Sequence, residues 1–132
     1  MKLSHIALTV SLVCSVQANA GELSNAQAEK ILGISGVAHA PSKTLALDLD
    51  YRDQAGQKLF SLRITEPKIY EVWKSGAKKG EPVSGLGQDA FAQPKLRQVC
   101  ARTATTAACA NALFMDPKVT QQYLVELVRA AL

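Results

Sequence analysis

The chain has few of the residues from which catalytic and metal centres are usually built. Among its 132 residues are two histidines and three cysteines, and aromatic residues make up 5%. His39 is the only histidine after residue 20, and a lone histidine in a loop is more typical of a solvated surface than of a catalytic base. No serine stands in a G-x-S-x-G sequence. The sequence therefore predicts no catalytic, cofactor or metal site, and we expect a protein that is not an enzyme.

Long apolar runs are absent except near the N-terminus, and that run is too short to span a membrane, which takes roughly 20 residues. Lys2 precedes an apolar stretch from Ile6 to Val16, and the small residues Ala18 and Ala20 follow it. This pattern is typical of a secretory signal peptide. We expect residues 1–20 to be removed between Ala20 and Gly21, and the protein to be periplasmic or extracellular.

The excess of positive charge is also small. Without Lys2, one of 15 basic residues, 14 basic residues remain against 11 acidic residues. Lys78 and Lys79 form the only pair of adjacent basic residues. Such a diffuse balance suits a soluble protein and does not predict a nucleic-acid partner. The 112 residues from Gly21 to Leu132 fit one domain.

Cysteine is scarce but its count is informative. Cys14 lies in the signal peptide, which leaves Cys100 and Cys109. An even pair in an oxidising compartment predicts a disulfide bond, with two buried thiols as the alternative. A lipid anchor on Cys14 is a further alternative, although Ser11 and Val13 stand where a lipobox has leucine and a small residue.

Hydrophobic periodicity predicts an α+β domain of the order α-β-β-α-β-β-α, an antiparallel sheet of two hairpins packed by three helices. The predicted helices are Asn25–Leu32, a segment from Pro67 to Ser75–Gly76, and a segment from Asp116–Pro117 to the C-terminus; the predicted strands are Thr44–Arg52, Leu59–Thr65, Leu96–Arg102 and Ala108–Phe114. Gly33–Ser42 and Lys78–Pro94 are expected to be loops, with Asp89–Phe91 in contact with the core. A helix from Thr106 to Met115 is the alternative to the last strand, because alanine favours helices.

Two carboxylates alternate with apolar residues in the first predicted strand. Asp48 and Asp50 are expected to mark its solvent-facing side. Their spacing with Asp53 and Gly56 does not match a calcium-binding EF-hand loop. The alternative is a small secreted enzyme that uses these carboxylates.

A glycine-rich stretch lies between the second predicted helix and the second hairpin. Val83–Phe91 has the sequence VSGLGQDAF. It resembles the V-x-G-[LV]-G-[DE]-x-A-[FY] stretch of small exported bacterial α+β domains of unassigned or sensor-like function. The resemblance implies a non-catalytic domain folded around a sheet, with no catalytic residue to transfer.

The second predicted helix and the loop after it carry a possible partner-binding patch, because aromatic side chains beside charges are common at protein interfaces. This patch consists of Tyr70, Trp73, Lys74, Lys78 and Lys79. A core position for Trp73 is the alternative. The function predicted from sequence is an exported, non-enzymatic binding or accessory protein whose partner is another protein, with an inhibitor or immunity role for a secreted enzyme or toxin as a further alternative.

The signal-peptide prediction is tested by the mass of the protein recovered from the exported fraction. We expect Gly21 to be the first residue and a non-reducing peptide map to join Cys100 to Cys109. An unprocessed or lipidated product would refute the predicted cleavage, and two free thiols would refute the predicted disulfide.

Overall fold

The fold is given by a computed structural model that describes residues 23–45, 47–78 and 80–132. The predicted signal peptide and its cleavage site at Gly21 lie outside the described residues, as does Lys79.

Three helices and one seven-stranded antiparallel sheet make up the described part of the chain. In chain order they are α1 (Asn25–Leu32), β1 (Ala38–Pro41), β2 (Asp48–Arg52), β3 (Lys58–Thr65), α2 (Pro67–Gly76), β4 (Glu81–Pro82), β5 (Asp89–Gln93), a 3-10 turn (Pro94–Leu96), β6 (Gln98–Arg102), β7 (Ala107–Asn111) and α3 (Gln121–Ala131). The strand order across the sheet is β1-β2-β3-β7-β6-β5-β4. The α+β class is confirmed, whereas the predicted arrangement of two hairpins is wrong, because β1, β4 and β5 extend the sheet at both ends.

Helix α1 has the bounds that the sequence predicts. Ser24 accepts a hydrogen bond from the Gln27 amide and Gln27 Oε1 accepts one from the Ser24 amide, which completes a capping box. Gly33 ends the helix with a φ of 67°, a left-handed conformation that glycine adopts at low cost. Local signals at both ends are sufficient to fix this element.

The first predicted strand begins too early. Strand β2 starts at Asp48, and Leu45 and Leu47 are 54% and 71% exposed in the connection that precedes it. The backbone amide of Ser42 donates to the carbonyl of Asp48 and closes this connection. Alternation of apolar residues therefore continues beyond the strand, and the pattern alone does not locate its start.

Two segments predicted as loops contain strands at or near the ends of the sheet. Strand β1, within Gly33–Ser42, pairs with β2, and β5, within Lys78–Pro94, pairs with β6. Alanine and proline give these short strands little apolar periodicity, so pairing with a neighbour decides their conformation. The predicted core contact at Asp89–Phe91 is confirmed, since Phe91 is buried.

The second predicted hairpin is present in shortened form as β6 and β7. Cys100 pairs with Cys109 and Gln98 with Asn111. Leu96, predicted as the first residue of this hairpin, belongs instead to the 3-10 turn that precedes it. Ala108 and Ala110 of β7 are buried in the core beneath α3, and Ala107 is buried beneath α2, so tertiary packing overrides the preference of alanine for helix.

Helix α3 begins later than the Asp116–Pro117 signal predicts. Asp116 Oδ1 accepts a hydrogen bond from the Lys118 amide in a local turn, and Thr120 caps the helix instead. Aspartate favours such turns as readily as helix N-caps. The predicted apolar stripe is confirmed, with Leu124, Leu127 and Val128 buried.

The sheet has helices on both faces. Helices α1 and α3 contact each other and cover one face, over a core that includes Phe60, Leu62 and Leu127. Helix α2 covers part of the other face, where Tyr70 packs with Phe91 and the two cysteines. Because α2 packs mainly on β6 and β7, the β2–β3 end of that face carries polar and charged side chains that the helix does not bury.

The packing of α3 predicts a large difference between two leucine positions. Leu127 is fully buried, so Leu127→Ala should lower the free energy of unfolding by about 2 to 5 kcal/mol. Leu47→Ala, the same change at an exposed site, should stay within about 0.5 kcal/mol of the unsubstituted protein. Urea denaturation followed by circular dichroism measures both, and equal effects would contradict the packing of α3.

Candidate functional site

A pocket of about 350 Å³ opens on the α2 side of the sheet, at the border between the covered and uncovered parts of that face. Four strands and one helix contribute to it. Its lining consists of Leu45, Asp48, Ser61, Arg63, Trp73, Gln98, Cys109, Asn111 and Met115.

Strand register explains why polar residues gather in this pocket. Arg63 pairs with Asp48 on one side and with Cys109 on the other, so the three lie in one row across the sheet. Asn111 pairs with both Ser61 and Gln98, which forms a second row. Side chains two residues apart on a strand point to the same face, so the two rows together form the floor of the pocket.

The strongest polar contact in the pocket is the ion pair between Asp48 and Arg63. Arg63 Nε donates to Asp48 Oδ1 over 2.6 Å, and the two side chains are 13% and 31% exposed for Asp48 and Arg63 respectively. In the part of the chain that the structure describes, the two terminal nitrogens of Arg63 make no hydrogen bond. The guanidinium is thus held in place by one edge and has donors left for a ligand.

Asp50, the other carboxylate singled out from sequence, is neutralised in a different way. It is 6% exposed, accepts a hydrogen bond from Ser61 Oγ over 2.9 Å, and lies 3.3 Å from Lys58 Nζ and 3.9 Å from Arg52 Nη2. Both carboxylates share a face of β2 as expected, but Asp50 is buried rather than solvent-facing. Its charge is matched by two cations beside it.

A disulfide and a tryptophan form the opposite wall of the pocket. Cys100 and Cys109 are joined with their Cα atoms 4.1 Å apart, and Gln98 Nε2 donates to Cys109 Sγ over 2.9 Å. Trp73 is half-buried and packs against the cluster beneath α2. The disulfide therefore links β6 and β7, the strands that carry Gln98 and Asn111, and belongs to the cluster against which Trp73 packs.

The described residues of the predicted aromatic and basic patch are divided between the core and the surface. Tyr70 is fully buried, Trp73 lines the pocket, Lys78 is exposed and Lys79 lies outside the described residues. Lys74 Nζ donates to Asp89 Oδ2 over 2.6 Å.

The pKa values of Tyr70, Lys74 and Asp89, which lie close together beneath and beside α2, are shifted by one another and by burial. The hydrogen bond that Lys74 donates to Asp89 raises the pKa of Lys74 and lowers the pKa of Asp89. Burial, and after it the charge of Asp89, raises the pKa of Tyr70. The phenol of Tyr70 therefore stays protonated, and this cluster is suited to a structural role rather than to proton transfer.

Arg97 organises the loop of residues 112–119 that connects β7 to α3. It occupies the left-handed region with a φ of 47°. Its guanidinium donates to four backbone carbonyls in this loop, those of Ala112, Met115, Asp116 and Val119, over 2.7, 3.3, 2.8 and 2.6 Å. The sequence gives no signal for this role, because Arg97 lies within a predicted strand whose alternation makes it appear solvated.

Phe114 projects from the loop that Arg97 holds. It is 96% exposed and has a φ of 59°, a conformation that residues other than glycine adopt rarely. The next residue, Met115, lines the pocket. The sequence pattern predicts Phe114 at the end of a strand and gives no sign of this exposure, which depends on the loop that Arg97 holds.

His39 is expected from the sequence at a solvated position in a loop, but it lies on a strand and has a structural role. It lies on β1, is half-buried, and its ring stacks on Tyr51 with centroids 4.9 Å apart. Its Nδ1 forms a hydrogen bond with Asn25 Oδ1. The histidine thus connects the edge of the sheet to the first turn of α1.

The Val83–Phe91 stretch forms a tight turn that leads into β5. A Cβ on Gly87 would lie 2.4 Å from the carbonyl oxygen of Arg102, so a side chain is sterically excluded there. Leu86 is buried at 1% exposure. Close backbone approach and core packing account for the glycine and apolar positions of this stretch.

Two further properties concern the described residues alone. None of their helices is long and apolar enough to cross a membrane. No three of their histidine, cysteine, aspartate or glutamate side chains are grouped as metal ligands.

The Arg97 contacts predict a localised loss of order in one variant. Arg97→Met removes all four donors to the loop, so the amides of Asp116 and Val119 should exchange with deuterium at least tenfold faster. The free energy of unfolding should fall by roughly 1.5 to 3 kcal/mol, because buried carbonyls lose a charged partner. Lys95→Met is the matched control at an exposed neighbour, and similar exchange in both variants would contradict the clamp.

Comparison with known proteins gives no match: no family model, curated protein or solved structure matches this chain. The site is therefore interpreted from its own residues.

Proposed function

We propose that this chain is an exported, non-enzymatic binding protein of the periplasm or extracellular space, and that its partner is another protein. The observation that carries the proposal is Phe114, an aromatic side chain 96% exposed on a loop whose backbone is fixed. Exposed aromatic residues held in one place are typical anchors of protein interfaces.

Rigidity of the loop is what distinguishes Phe114 from an incidental exposed residue. Four hydrogen bonds from Arg97 hold the backbone on either side of it. A contact residue that is already ordered loses little conformational entropy on binding, which increases affinity. A flexible loop would offer the same side chain at a greater entropic cost.

The mouth of the pocket extends this surface. Met115, which follows Phe114, lines the pocket together with Leu45, and Leu45 is 54% exposed. A partner that covers Phe114 therefore reaches a polar cavity with apolar residues on its lining. Apolar anchors beside specific polar groups are the usual composition of a recognition site.

Export is supported by the disulfide as well as by the predicted signal peptide. Cys100 and Cys109 are bonded within the core beneath α2. Disulfides of this structural kind are typical of oxidising compartments and rare in the cytosol.

The alternative enzyme based on Asp48 and Asp50 has less support. Arg63 engages the first carboxylate, and Lys58 and Ser61 engage the second. General acid or base catalysis requires a carboxyl group within reach of a substrate proton, whereas these two are occupied by charge pairing within the sheet.

Site-specific photo-crosslinking tests the proposal. We expect benzoylphenylalanine at position 114, introduced into the protein in its native exported fraction, to give a discrete adduct with one polypeptide. The same probe at Lys30 on α1 or Gln122 on α3, both exposed, should give at least fivefold less of it. Phe114→Ala should weaken binding of the identified partner about 30-fold or more, as for an interface anchor. Equal labelling at all three positions, or none at 114, would refute the proposal.

A further inference from the structure

We infer that the pocket binds a carboxylate group carried at the end of a polypeptide chain. This inference rests on the proposed function and names the chemistry that the pocket recognises. It depends on the charges, the free donors and the size of the pocket.

The charges on this face favour an anion. Three cations, Arg52, Lys58 and Arg63, surround two carboxylates, Asp48 and Asp50. One positive charge is left over in the group; Asp48 and Arg63 are its members that line the pocket, and the side chain of Arg63 is partly exposed. An incoming carboxylate would balance the group.

The free hydrogen-bonding groups of the lining include several donors. Arg63 retains its two terminal nitrogens, which match the two oxygens of a carboxylate. Asn111 Oδ1 accepts a hydrogen bond from the Leu113 amide over 2.9 Å, which orients the side-chain amide and leaves its nitrogen as the uncommitted end. The indole nitrogen of Trp73 makes no hydrogen bond within the described residues. Donors from three elements therefore line the same cavity.

A cationic ligand fits these groups less well. Asp48 is already bonded to Arg63 over 2.6 Å, so a cation would compete with a fixed guanidinium for the same carboxylate. Gln98 contributes a carbonyl oxygen, since its nitrogen is used on Cys109. A cation in the pocket would also lie close to the positive guanidinium of Arg63, which repels it.

The size and walls of the pocket favour a chain end over a large cofactor. About 350 Å³ is at the lower limit of small-molecule sites. Leu45, Met115 and the disulfide sulfur of Cys109 supply apolar surface beside the donors. This combination suits a terminal residue whose carboxylate faces Arg63 while its side chain contacts the apolar wall.

Tryptophan fluorescence reports on this site without a label, because Trp73 is the only tryptophan. We propose titrating the intact protein with Gly-Gly-Leu as the free acid, with the same peptide as its C-terminal amide, and with acetate. The free acid should change the emission of Trp73 saturably. The amide and acetate should each bind at least tenfold more weakly, because one lacks the carboxylate and the other lacks the chain.

Two substitutions test the role of Arg63. Arg63→Gln should weaken binding of the free acid at least tenfold, and Arg63→Lys, which keeps the charge but loses the planar fork, should weaken it to an intermediate degree. Arg129→Gln, on an exposed part of α3, is the matched control and should bind as the unsubstituted protein does. Far-ultraviolet circular dichroism checks that the variants fold. If Arg63→Gln does not fold, the weaker binding expected of Arg63→Lys tests the inference.

Three results would overturn the inference. Equal binding of acid and amide would remove the carboxylate from recognition, and equal binding of acetate would assign the pocket to small carboxylic acids. Unchanged binding in the Arg63 variants would move the site elsewhere. A peptide titration without a saturable change, together with intact crosslinking at position 114, would refute this inference and leave the proposed function standing.

Discussion

The pairing of β3 with β7 is the contact on which the rest of the structure depends. These two strands are far apart in sequence, and their antiparallel pairing joins the β1-β2-β3 meander to the β4-β5-β6-β7 meander in one sheet. The same register sets Arg63 beside Cys109 and Ser61 beside Asn111. The charged half of one meander therefore meets the disulfide-linked half of the other, and the candidate pocket lies along this junction.

A disulfide and several hydrogen bonds hold the backbone on the β7 side of that junction. The disulfide connects β6 to β7 on one side of the pocket, and Arg97 fixes the 112–119 loop that follows β7. The Asp116 amide also donates to the Lys58 carbonyl of β3, which ties this loop to the sheet. The disulfide between β6 and β7 and the contacts of the loop that follows β7 thus support the proposed contact surface, and its aromatic anchor does not depend on a partner to be positioned.

Sequence patterns predict the parts of this fold that local interactions determine. The capping box at Ser24 fixes α1, and apolar alternation fixes β3. Strands β1 and β5 escape prediction because they show little apolar alternation, and pairing with the next strand decides their conformation. The candidate site can be predicted from the sequence only in part. The carboxylates and cysteines have recognisable spacing, whereas the hydrogen bonds from Arg97 to backbone carbonyls depend on tertiary position and leave no pattern in the sequence.

The two faces of the sheet differ in how freely their residues can change during evolution. Beneath α3, small alanine side chains on β5, β6 and β7 set the distance between helix and sheet, so a larger residue there would push the layers apart. On the other face, the positions that line the pocket come from the sheet and from α2 without filling the main core. Under the proposed function, substitutions on that face would alter what the pocket binds while the fold stays the same, and this half-covered sheet would be a scaffold on which related chains diverge in specificity.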